Sequence, residues 1–299
     1  MRILITAGSG LTGNAFQKLA ADKYSNHEFI LHTKSKGDLA EPSVFKFLQR
    51  NHNPDVIIHN AGKLHGSFAD KESIEESEQV NNKIFENLLR IVEPHQQVYC
   101  LSSYHVFRSS APYNFLDLES LNRETSYARG KSSQIERVRL NSNIKFIILP
   151  HLFGEYDNFS RGRAHFVANS IRRVVEAQQR RDLQIDFFGS IHKKLQFATA
   201  DLAADFTLNT ILSNRAFLER YFLANIGWVR NCHEVFRRIC NIVGFSGLVT
   251  PINSDSDNLG SDMYFPTSAN PHDSDEQNFL ASLLTTVEFF KEGESNYVN

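Results

Sequence analysis

The first half of the chain alternates short apolar runs with longer segments of helical periodicity. Aliphatic and β-branched residues dominate the runs at 2–6, 29–33, 55–59, 98–101 and 144–149. Between these runs, apolar residues recur three or four positions apart in segments 14–23, 42–50, 73–92 and 125–140. Because strands that alternate with helices form βαβ units, this pattern predicts a parallel sheet with right-handed crossovers.

The second half of the chain has a less regular pattern. It predicts helices at 165–181, 201–212 and 231–243, and strands at 183–188 and 221–226. Residues 253–262 are rich in Ser, Asp and Asn, which is typical of a loop. The pattern therefore predicts α/β structure here as well, but without the strict strand and helix alternation of the first half.

Composition and charge exclude several classes of protein. The 299 residues carry 32 basic and 34 acidic side chains, so the formal charge of −2 offers no basic field to nucleic acid or acidic membranes. No apolar run approaches the roughly 20 residues that span a bilayer, and the short apolar start is unlike a signal peptide. The three cysteines match neither a metal knuckle nor a disulfide framework. We expect a cytoplasmic protein with no metal and no nucleic-acid or membrane partner.

A glycine-containing turn follows the first predicted strand. Gly10 and Gly13 stand between that strand and the next predicted helix. Glycine there lets the backbone approach a pyrophosphate closely, and the helix N-terminus favours the negative charge. The turn therefore predicts a dinucleotide-binding site, the alternative being an ordinary glycine-rich turn.

The residues after the second predicted strand indicate which dinucleotide binds. A site that reads the free ribose 2′-hydroxyl normally places Asp or Glu here. This chain instead has Lys34 and Lys36, and its first acidic residue is Asp38. Because cations pair with a 2′-phosphate, the sequence predicts NADP(H) over NAD(H), the alternative being a solvated basic turn.

Three polar residues predict proton chemistry at a carbonyl group. Tyr127 and Lys131 form a Tyr-x-x-x-Lys pair, which places both side chains on one face of a helix. A lysine ammonium beside a phenol lowers its pKa, and this suits Tyr127 to exchange a proton with a carbonyl oxygen during hydride transfer. Ser103 follows the fourth predicted strand, where its hydroxyl can bind the same oxygen. Such a pair alone is commonly a surface pair, but its order behind the glycine turn and Ser103 predicts catalysis.

These motifs, in this order, resemble the extended short-chain dehydrogenase/reductase family over nearly the whole chain. Within that family the chain is most similar to the GDP-L-fucose synthase group, which epimerises and then reduces GDP-4-keto-6-deoxymannose with NADPH. The most specific segments are LPHLFGEYDNF at 149–159, AHFV at 164–167 and FFG at 187–189.

The resemblance implies the fold and its division. It implies an α/β fold with a Rossmann-type doubly wound parallel sheet in an NADP-binding domain, residues 1–160, to which a strand near 221–230 returns. A smaller C-terminal α/β substrate-binding domain would occupy 161–299. Relatives usually dimerise through their long helices, so we expect a homodimer that acts on a nucleotide sugar, with a GDP-sugar favoured.

The resemblance also implies roles for individual residues. It assigns catalysis to Ser103, Tyr127, Lys131, His105 and His165, of which the two histidines would move protons during epimerisation. It assigns cofactor binding to Ala7, Gly8, Ser9, Gly10, Leu11, Thr12, Gly13, Lys34, Asp38, Leu39, Asn60, Ala61, Gly62, Leu101, Tyr127, Lys131, Pro150 and Leu152. It assigns substrate binding to Ser103, Tyr104, Asn158, Arg173, Phe188 and Lys194. Asn81 matches a structural asparagine.

The chain departs from the family pattern at three places. The family has a cysteine two residues after the catalytic serine as an acid/base for epimerisation, and His105 stands there instead. The family's Arg-Glu-Phe reads Leu195-Gln-Phe, which leaves Lys193 and Lys194 as the nearest cations. The loop after Pro251 carries aspartates in place of a basic element. Reduction with epimerisation and reduction alone therefore both stay open.

Two further hypotheses remain. The first is that the chain is an epimerase or dehydratase with tightly held NAD. The second is that it is a non-catalytic NADP-binding regulatory subunit on the same fold. Dehydratases place an acidic pair directly after the catalytic serine or threonine, but Tyr104 and His105 stand there, and the basic second-strand end argues against NAD. The intact Ser103, Tyr127 and Lys131 argue against a regulatory subunit.

Overall fold

The computed structural model describes residues 1–63, 71–107, 121–141, 143–213, 220–252, 262–265 and 275–293. This part of the chain divides into two units. The first comprises 1–63, 71–107, 121–141, 143–149, 200–213 and 220–224, and the second comprises 150–199, 225–252, 262–265 and 275–293. Among these residues, no helix combines the length and the apolar character that crossing a membrane requires.

The first unit is built on a six-stranded parallel sheet. Its strands are β1 (Arg2–Ile5), β2 (Glu28–Leu31), β3 (Val56–His59), β4 (Gln97–Ser103), β5 (Ile144–Leu149) and β9 (Tyr221–Leu223), in the spatial order β2-β1-β3-β4-β5-β9. β3 and β5 are buried at every position, which is why they appear in the sequence as unbroken apolar runs. The strand order reverses between β1 and β3, and such sheets bind ligands at the carboxyl ends of strands at that point.

Five helices belong to the first unit: α1 (Leu11–Asp22), α2 (Pro42–His52), α3 (Lys71–Leu89), α4 (Ser126–Arg137) and α6 (Ala200–Leu212). Pro42 opens α2, where its missing N–H is not needed. Thr125 precedes α4, and its Oγ1 accepts a hydrogen bond from the Ala128 N–H at 3.1 Å. Tyr24 lies just after α1, and its hydroxyl hydrogen-bonds Asp205 and Asn209 of α6.

The second unit contains two smaller sheets and three helices. β6 (His151–Phe153), β8 (Lys194–Thr199) and β10 (Trp228–Asn231) form one sheet, and β7 (Gln184–Phe188) and β11 (Leu248–Ile252) form the other. The helices are α5 (Phe166–Arg180), α7 (Cys232–Val243) and α8 (Glu276–Gly293). Phe153, Trp228 and Phe279 pack against one another in the core of this unit, with ring centroids 5.3 Å to 6.5 Å apart.

The predicted fold class, α/β with a parallel central sheet, is confirmed. Five elements of the second unit are not predicted by the sequence pattern: β6, β8, β10, β11 and α8. β6 has only three residues, β10 carries the polar Arg230 and Asn231, and the buried Gln196 interrupts the apolar run of β8. Pro251 interrupts β11, and the buried Thr286 interrupts the apolar face of α8. The strand predicted at 221–226 ends at Leu223.

The change of unit after Leu149 comes earlier than the boundary predicted at residue 160. The reason is strand pairing: β6 follows Pro150 directly and pairs with β8 of the second unit. Of the returning segment near 221–230, β9 joins the first unit, whereas β10 pairs with β8. Residues 253–261 of the predicted loop lie outside the described residues. Cofactor binding by one unit and substrate binding by the other stay predictions.

Candidate functional site

In the turn between β1 and α1, the backbone of Ala7 and Gly8 packs closely against Gly13. Ala7 adopts a left-handed conformation with φ of 59°, and its carbonyl accepts the Gly10 N–H at 3.3 Å. A Cβ on Gly13 would lie 2.3 Å from the Ala7 oxygen, so only glycine fits there. The predicted positions 7–13 therefore form this turn and the first turn of α1, whose backbone N–H groups have no partner inside the helix. Such a turn is able to hold a phosphate group.

The two lysines of the basic segment after β2, Lys34 and Lys36, have different surroundings. Lys34–Lys36 form a short 3₁₀ turn in which the Lys34 side chain is exposed. The Lys36 ammonium instead donates to the Leu31 carbonyl at 2.9 Å. Asp38 is exposed and accepts the Ala40 N–H at 2.9 Å, while Leu39 is buried. Lys34 is the better placed of the two lysines to meet an anion.

Two polar side chains fix the loop after β3. Thr6 Oγ1 accepts the N–H groups of Asn60 and Ala61, both at 2.9 Å. Asn81 on α3 accepts the Lys63 N–H at 2.6 Å and donates to the Lys63 carbonyl at 3.0 Å. The predicted residues 60–62 are thus held rigidly beside the glycine turn. Sequence reasoning missed the role of Thr6, although its place at the end of the first strand was a usable signal.

Four predicted catalytic side chains meet in the first unit. Ser103 ends β4, and its Oγ lies 2.9 Å from Nδ1 of His105. The His105 ring stands edge-on to the Tyr127 ring, with centroids 5.7 Å apart. One turn further along α4, the Lys131 ammonium donates to the Leu101 carbonyl at 3.0 Å. Tyr104 is buried and packs against His105 at 4.8 Å between ring centroids.

The electrostatics of this cluster differ from the sequence prediction. Desolvation raises the pKa of Tyr127, and a hydrogen bond with Ser103 opposes that effect. Burial also lowers the pKa of Lys131. The predicted lowering of the Tyr127 pKa is not seen in this structure, because desolvation of the phenol outweighs the hydrogen bond with Ser103. The role predicted for Lys131 beside the phenol stays a prediction.

The buried His59 lies near this cluster. Burial lowers the pKa of His59 to about 3, and nearby Lys131 acts in the same direction. His59 Nδ1 lies 3.3 Å from Thr6 Oγ1, the atom that fixes the loop after β3. His59 is therefore a neutral structural residue at physiological pH, as a core histidine is expected to be.

In the second unit, the predicted substrate residues Arg173 and Phe188 are in contact. The Arg173 guanidinium lies 4.8 Å from the Phe188 ring centroid and 5.9 Å from that of Phe236. Nη2 of Arg173 donates to the Asp186 carbonyl at 2.5 Å. Burial lowers the pKa of Arg173, but an arginine stays charged. Sequence reasoning missed Phe236, because its helical spacing shows only that it is a core residue.

The other predicted residues of the second unit lie on several elements. His165 directly precedes α5, and its ring stands perpendicular to that of His151 at 5.8 Å. Pro150 is buried and Leu152 is partly exposed. Lys194 is exposed, and its backbone N–H donates to Asp262 at 2.8 Å.

The segment that carries Asn158 contains a buried carboxyl group. Asn158 is exposed, and its Oδ1 accepts the Ser160 N–H at 3.0 Å. The adjacent Asp157 is buried, and burial raises its pKa to about 7. Its Oδ1 accepts the Asn158 N–H at 2.7 Å. Sequence reasoning did not single out Asp157, because an Asp-Asn pair in a loop is ordinarily solvated.

The chain matches known proteins by family, by sequence and by fold. The model of the NAD dependent epimerase/dehydratase family matches residues 3–219. The chain is 25% identical over 260 residues to GDP-L-colitose synthase of Yersinia pseudotuberculosis, and the match covers 83% of each protein.

Two solved structures show the same fold. A GDP-L-fucose synthetase of Naegleria fowleri bound to NADP superposes with a TM-score of 0.78 at 20% identity, over 100% of this chain and 95% of that one. A GDP-mannoheptose C4 reductase of Campylobacter jejuni with NADP bound gives a TM-score of 0.72 at 16% identity, over 97% and 98%.

Proposed function

Because the chain belongs to the NAD dependent epimerase/dehydratase family, we propose that it reduces the 4-keto group of a nucleotide-linked 4-keto-6-deoxy sugar with NADPH. The similarity to GDP-L-colitose synthase and to GDP-L-fucose synthetase favours a GDP-sugar. The observation that carries the proposal is the cluster of Ser103, Tyr127 and Lys131 at the carboxyl end of β4.

The raised pKa of Tyr127 fits the reducing direction. A ketone that accepts a hydride needs a proton at its oxygen, and the acid that gives it must be protonated beforehand. Because desolvation raises the pKa of Tyr127, the phenol stays protonated at neutral pH. We assign Tyr127 as the donor to the C4 oxygen, Ser103 as a hydrogen-bond donor to the same oxygen, and Lys131 as the cation that stabilises the resulting phenolate.

The residues present fit NADP(H). Only glycine fits at position 13, so the turn leaves its backbone amides open to a pyrophosphate, and exposed Lys34 suits a 2′-phosphate. Asp38 and Leu39 would face the adenine, residues 60–62 would pass beneath the cofactor, and Leu101, Pro150 and Leu152 would flank the nicotinamide. Bound NADPH supplies the hydride for C4.

We assign the remaining residues to the sugar nucleotide. Arg173 and Phe188 offer a charge and an exposed aromatic face, which suit a diphosphate and a base or sugar ring. The resemblance adds Tyr104, Asn158 and Lys194 as further contacts. If epimerisation accompanies reduction, His105 and His165 exchange protons at C3 and C5, which the neighbouring ketone makes acidic.

The first test is one reaction in D2O with NADPH and GDP-4-keto-6-deoxymannose, followed by NMR and mass spectrometry. NADPH consumption with deuterium at C3 and C5 identifies an epimerase and reductase. NADPH consumption without that deuterium identifies a 4-reductase. No turnover despite NADPH binding contradicts this substrate, and other nucleotide sugars are then tested.

A tyrosine variant separates an enzyme from a regulatory subunit. Tyr127→Phe removes the proposed acid and is expected to lower kcat by a factor of about 100 or more. Tyr156→Phe is the matched control, because Tyr156 is exposed and outside the proposed site. Equal activity of the Tyr127→Phe and wild-type proteins in the reduction assay contradicts the proposed role.

A pair of lysine variants tests the choice of cofactor. Lys34→Glu is expected to weaken NADPH binding by about tenfold or more, because a charged contact with the 2′-phosphate is lost. Lys36→Glu is the control, since the Lys36 ammonium is bound to the Leu31 carbonyl. Titration by cofactor fluorescence measures both, and NADH, which lacks the phosphate, should bind the Lys34→Glu protein as it binds the wild type.

A further inference from the structure

The side chains of Thr6 and His59 meet in the interior of the first unit, where two neighbouring strands end. β1 pairs with β3 up to Ile5 and Ile58, and Thr6 and His59 directly follow these two residues. Both side chains are buried, since Thr6 is 0% exposed and His59 is 3% exposed. Buried polar groups need hydrogen-bond partners, so each proton in this contact must have an acceptor.

Two backbone N–H groups take both lone pairs of the Thr6 hydroxyl. The N–H groups of Asn60 and Ala61 each donate to Thr6 Oγ1 at 2.9 Å, and a backbone N–H can only donate. A hydroxyl has two accepting lone pairs and one proton, so only its proton is left to use. Among the described residues, the other partner of Oγ1 is Nδ1 of His59, at 3.3 Å. Thr6 therefore donates to Nδ1, which accepts with its lone pair.

The same contact fixes the state of the His59 ring. A neutral imidazole has a proton on one ring nitrogen and a lone pair on the other. Because the lone pair of His59 is on Nδ1, its proton is on Nε2. A proton on Nδ1 would direct a second donor at the Thr6 hydroxyl and leave that hydroxyl without an acceptor. The pKa of about 3 that burial gives His59 is consistent with a neutral ring at physiological pH.

We propose that His59 is a positioning residue whose Nδ1 lone pair holds the proton of the Thr6 hydroxyl and so keeps both lone pairs of that hydroxyl on the loop after β3. This loop, residues 60–62, is the segment expected to pass beneath the cofactor. Without the acceptor, the hydroxyl rotates toward another one and no longer satisfies both the Asn60 and the Ala61 N–H groups. The effect on NADPH rests on the proposed function, whereas the hydrogen bonds do not depend on it.

The hydrogen bonds are tested in the full-length protein without cofactor or substrate. Labelling with ¹⁵N-histidine shows by NMR which ring nitrogen carries the proton, and His59→Asn identifies the His59 signals by their absence. We expect the proton on Nε2, and an Nδ1 resonance that shifts in Thr6→Val, which lacks the hydroxyl, but not in Thr6→Ser, which keeps it. A wild-type His59 with its proton on Nδ1 overturns the proposal and indicates that nearby Lys131, rather than Thr6, sets the tautomer.

Two substitutions of His59 separate the hydrogen bond from packing. The His59 ring contacts the Phe85 ring, with centroids 5.9 Å apart. His59→Leu keeps an apolar contact with Phe85 but removes the acceptor, whereas His59→Asn loses the ring but keeps an oxygen near the place of Nδ1. We expect amide hydrogen exchange at Asn60 and Ala61 to be about tenfold faster in His59→Leu and nearly unchanged in His59→Asn. Faster exchange in His59→Asn than in His59→Leu overturns the positioning role and indicates ring packing.

NADPH affinity connects this loop to the proposed function. The Kd from cofactor fluorescence is expected to rise about fivefold or more in His59→Leu and to change little in His59→Asn. His95→Leu and His95→Asn are the controls, because His95 is an exposed histidine of the same unit, and neither should change the Kd. Thermal melting of each variant shows whether it folds.

Equal NADPH affinity of the wild-type and His59→Leu proteins overturns the positioning role, even if the exchange rates differ. If the wild type binds no NADPH, the proposed function fails. The NMR and exchange results then still decide the hydrogen bonds between His59, Thr6 and the loop.

Discussion

The two units build their candidate sites in different ways. In the first unit, the glycine turn and the loop after β3 follow two neighbouring strands of one parallel sheet, and Ser103 is the last residue of the next strand, β4. In the second unit, Arg173, Phe188 and Phe236 come from α5, β7 and α7, and they meet only through tertiary packing. The first arrangement is dictated by short segments of sequence, and the second depends on how separate elements pack.

This difference predicts how each site responds to substitutions. Backbone geometry makes the site of the first unit, so it depends on glycines and on side chains that bind the backbone. Side-chain stacking makes the site of the second unit, so its residues can be exchanged with graded effects. A substitution that the close backbone contacts of the first unit's turn cannot accommodate should therefore abolish ligand binding, whereas substitutions in the second unit should weaken binding in proportion to the lost contact.

Gly13→Ala is expected to have the largest effect. Its Cβ would lie 2.3 Å from the Ala7 oxygen and 2.5 Å from the Gly8 carbonyl carbon, so the turn must deform. We expect loss of NADPH binding at accessible concentrations and a decrease of about 2 kcal/mol or more in the free energy of unfolding. Cofactor fluorescence and denaturant unfolding measure the two effects.

Gly10→Ala is the matched control in the same turn. Its Cβ would meet the Ala7 oxygen at 3.7 Å, which is an ordinary contact, and no positive φ requires glycine there. We expect little change in stability from this variant. If Gly10→Ala and Gly13→Ala lower the stability equally, the close backbone contact at Gly13 is not the reason that glycine is needed there.

Asp157→Asn tests the buried carboxyl group of the second unit. Burial raises the pKa of Asp157 to about 7, so the folded protein holds a proton that the unfolded chain releases from about pH 4 upward. Its contribution to stability is therefore complete below pH 4 and is lost as the pH rises through 7. The amide has no proton to release, so it should stabilise the protein at pH 8, by up to about 4 kcal/mol, and not at pH 4.

Denaturant unfolding of the wild type and of Asp157→Asn at both pH values measures this difference. The buried His59 of the first unit has the opposite sign, since its pKa of about 3 makes the folded state lose stability as the pH falls below 6.5. The neutral Asp157→Asn variant leaves that acidic limb unchanged. A gain in stability that is the same at pH 4 and pH 8 would show that Asp157 does not titrate with folding.

Arg173→Lys tests the stacked arrangement of the second unit. Lysine keeps the charge but cannot lie flat on the Phe188 and Phe236 rings while donating to the Asp186 carbonyl. We expect about tenfold weaker binding of GDP, measured by isothermal titration, with NADPH binding unchanged. Arg161→Lys is the control, because Arg161 is exposed and bonded only to Glu176 among the described residues. Equal GDP affinity of wild type and Arg173→Lys would remove Arg173 from the binding residues.

The same contrast explains what the sequence could predict. The strands and turns of the first unit were predictable, because each apolar run is a buried parallel strand and each polar motif follows it directly. β6, β8 and β10 were not predictable from the pattern, because β6 has only three residues, the buried Gln196 interrupts the apolar run of β8, and half of β10 is polar. Phe236 and Asp157 were not predictable either, since their surroundings come from distant segments. The direction of the Tyr127 pKa required the desolvation that only the fold provides.

Ala7→Gly is expected to have the smallest effect and the opposite sign. Ala7 has a φ of 59°, a conformation that costs an alanine about 1 kcal/mol and a glycine almost nothing. The greater freedom of glycine in the unfolded chain offsets part of this gain, so we expect a net stabilisation of about 0.5 kcal/mol by denaturant unfolding. Asn53→Gly is the control, because Asn53 also has a positive φ of 40° and asparagine tolerates it better than alanine. A loss of stability in Ala7→Gly would mean that packing of the methyl group outweighs the backbone strain, and that the turn of the first unit also depends on side-chain contacts.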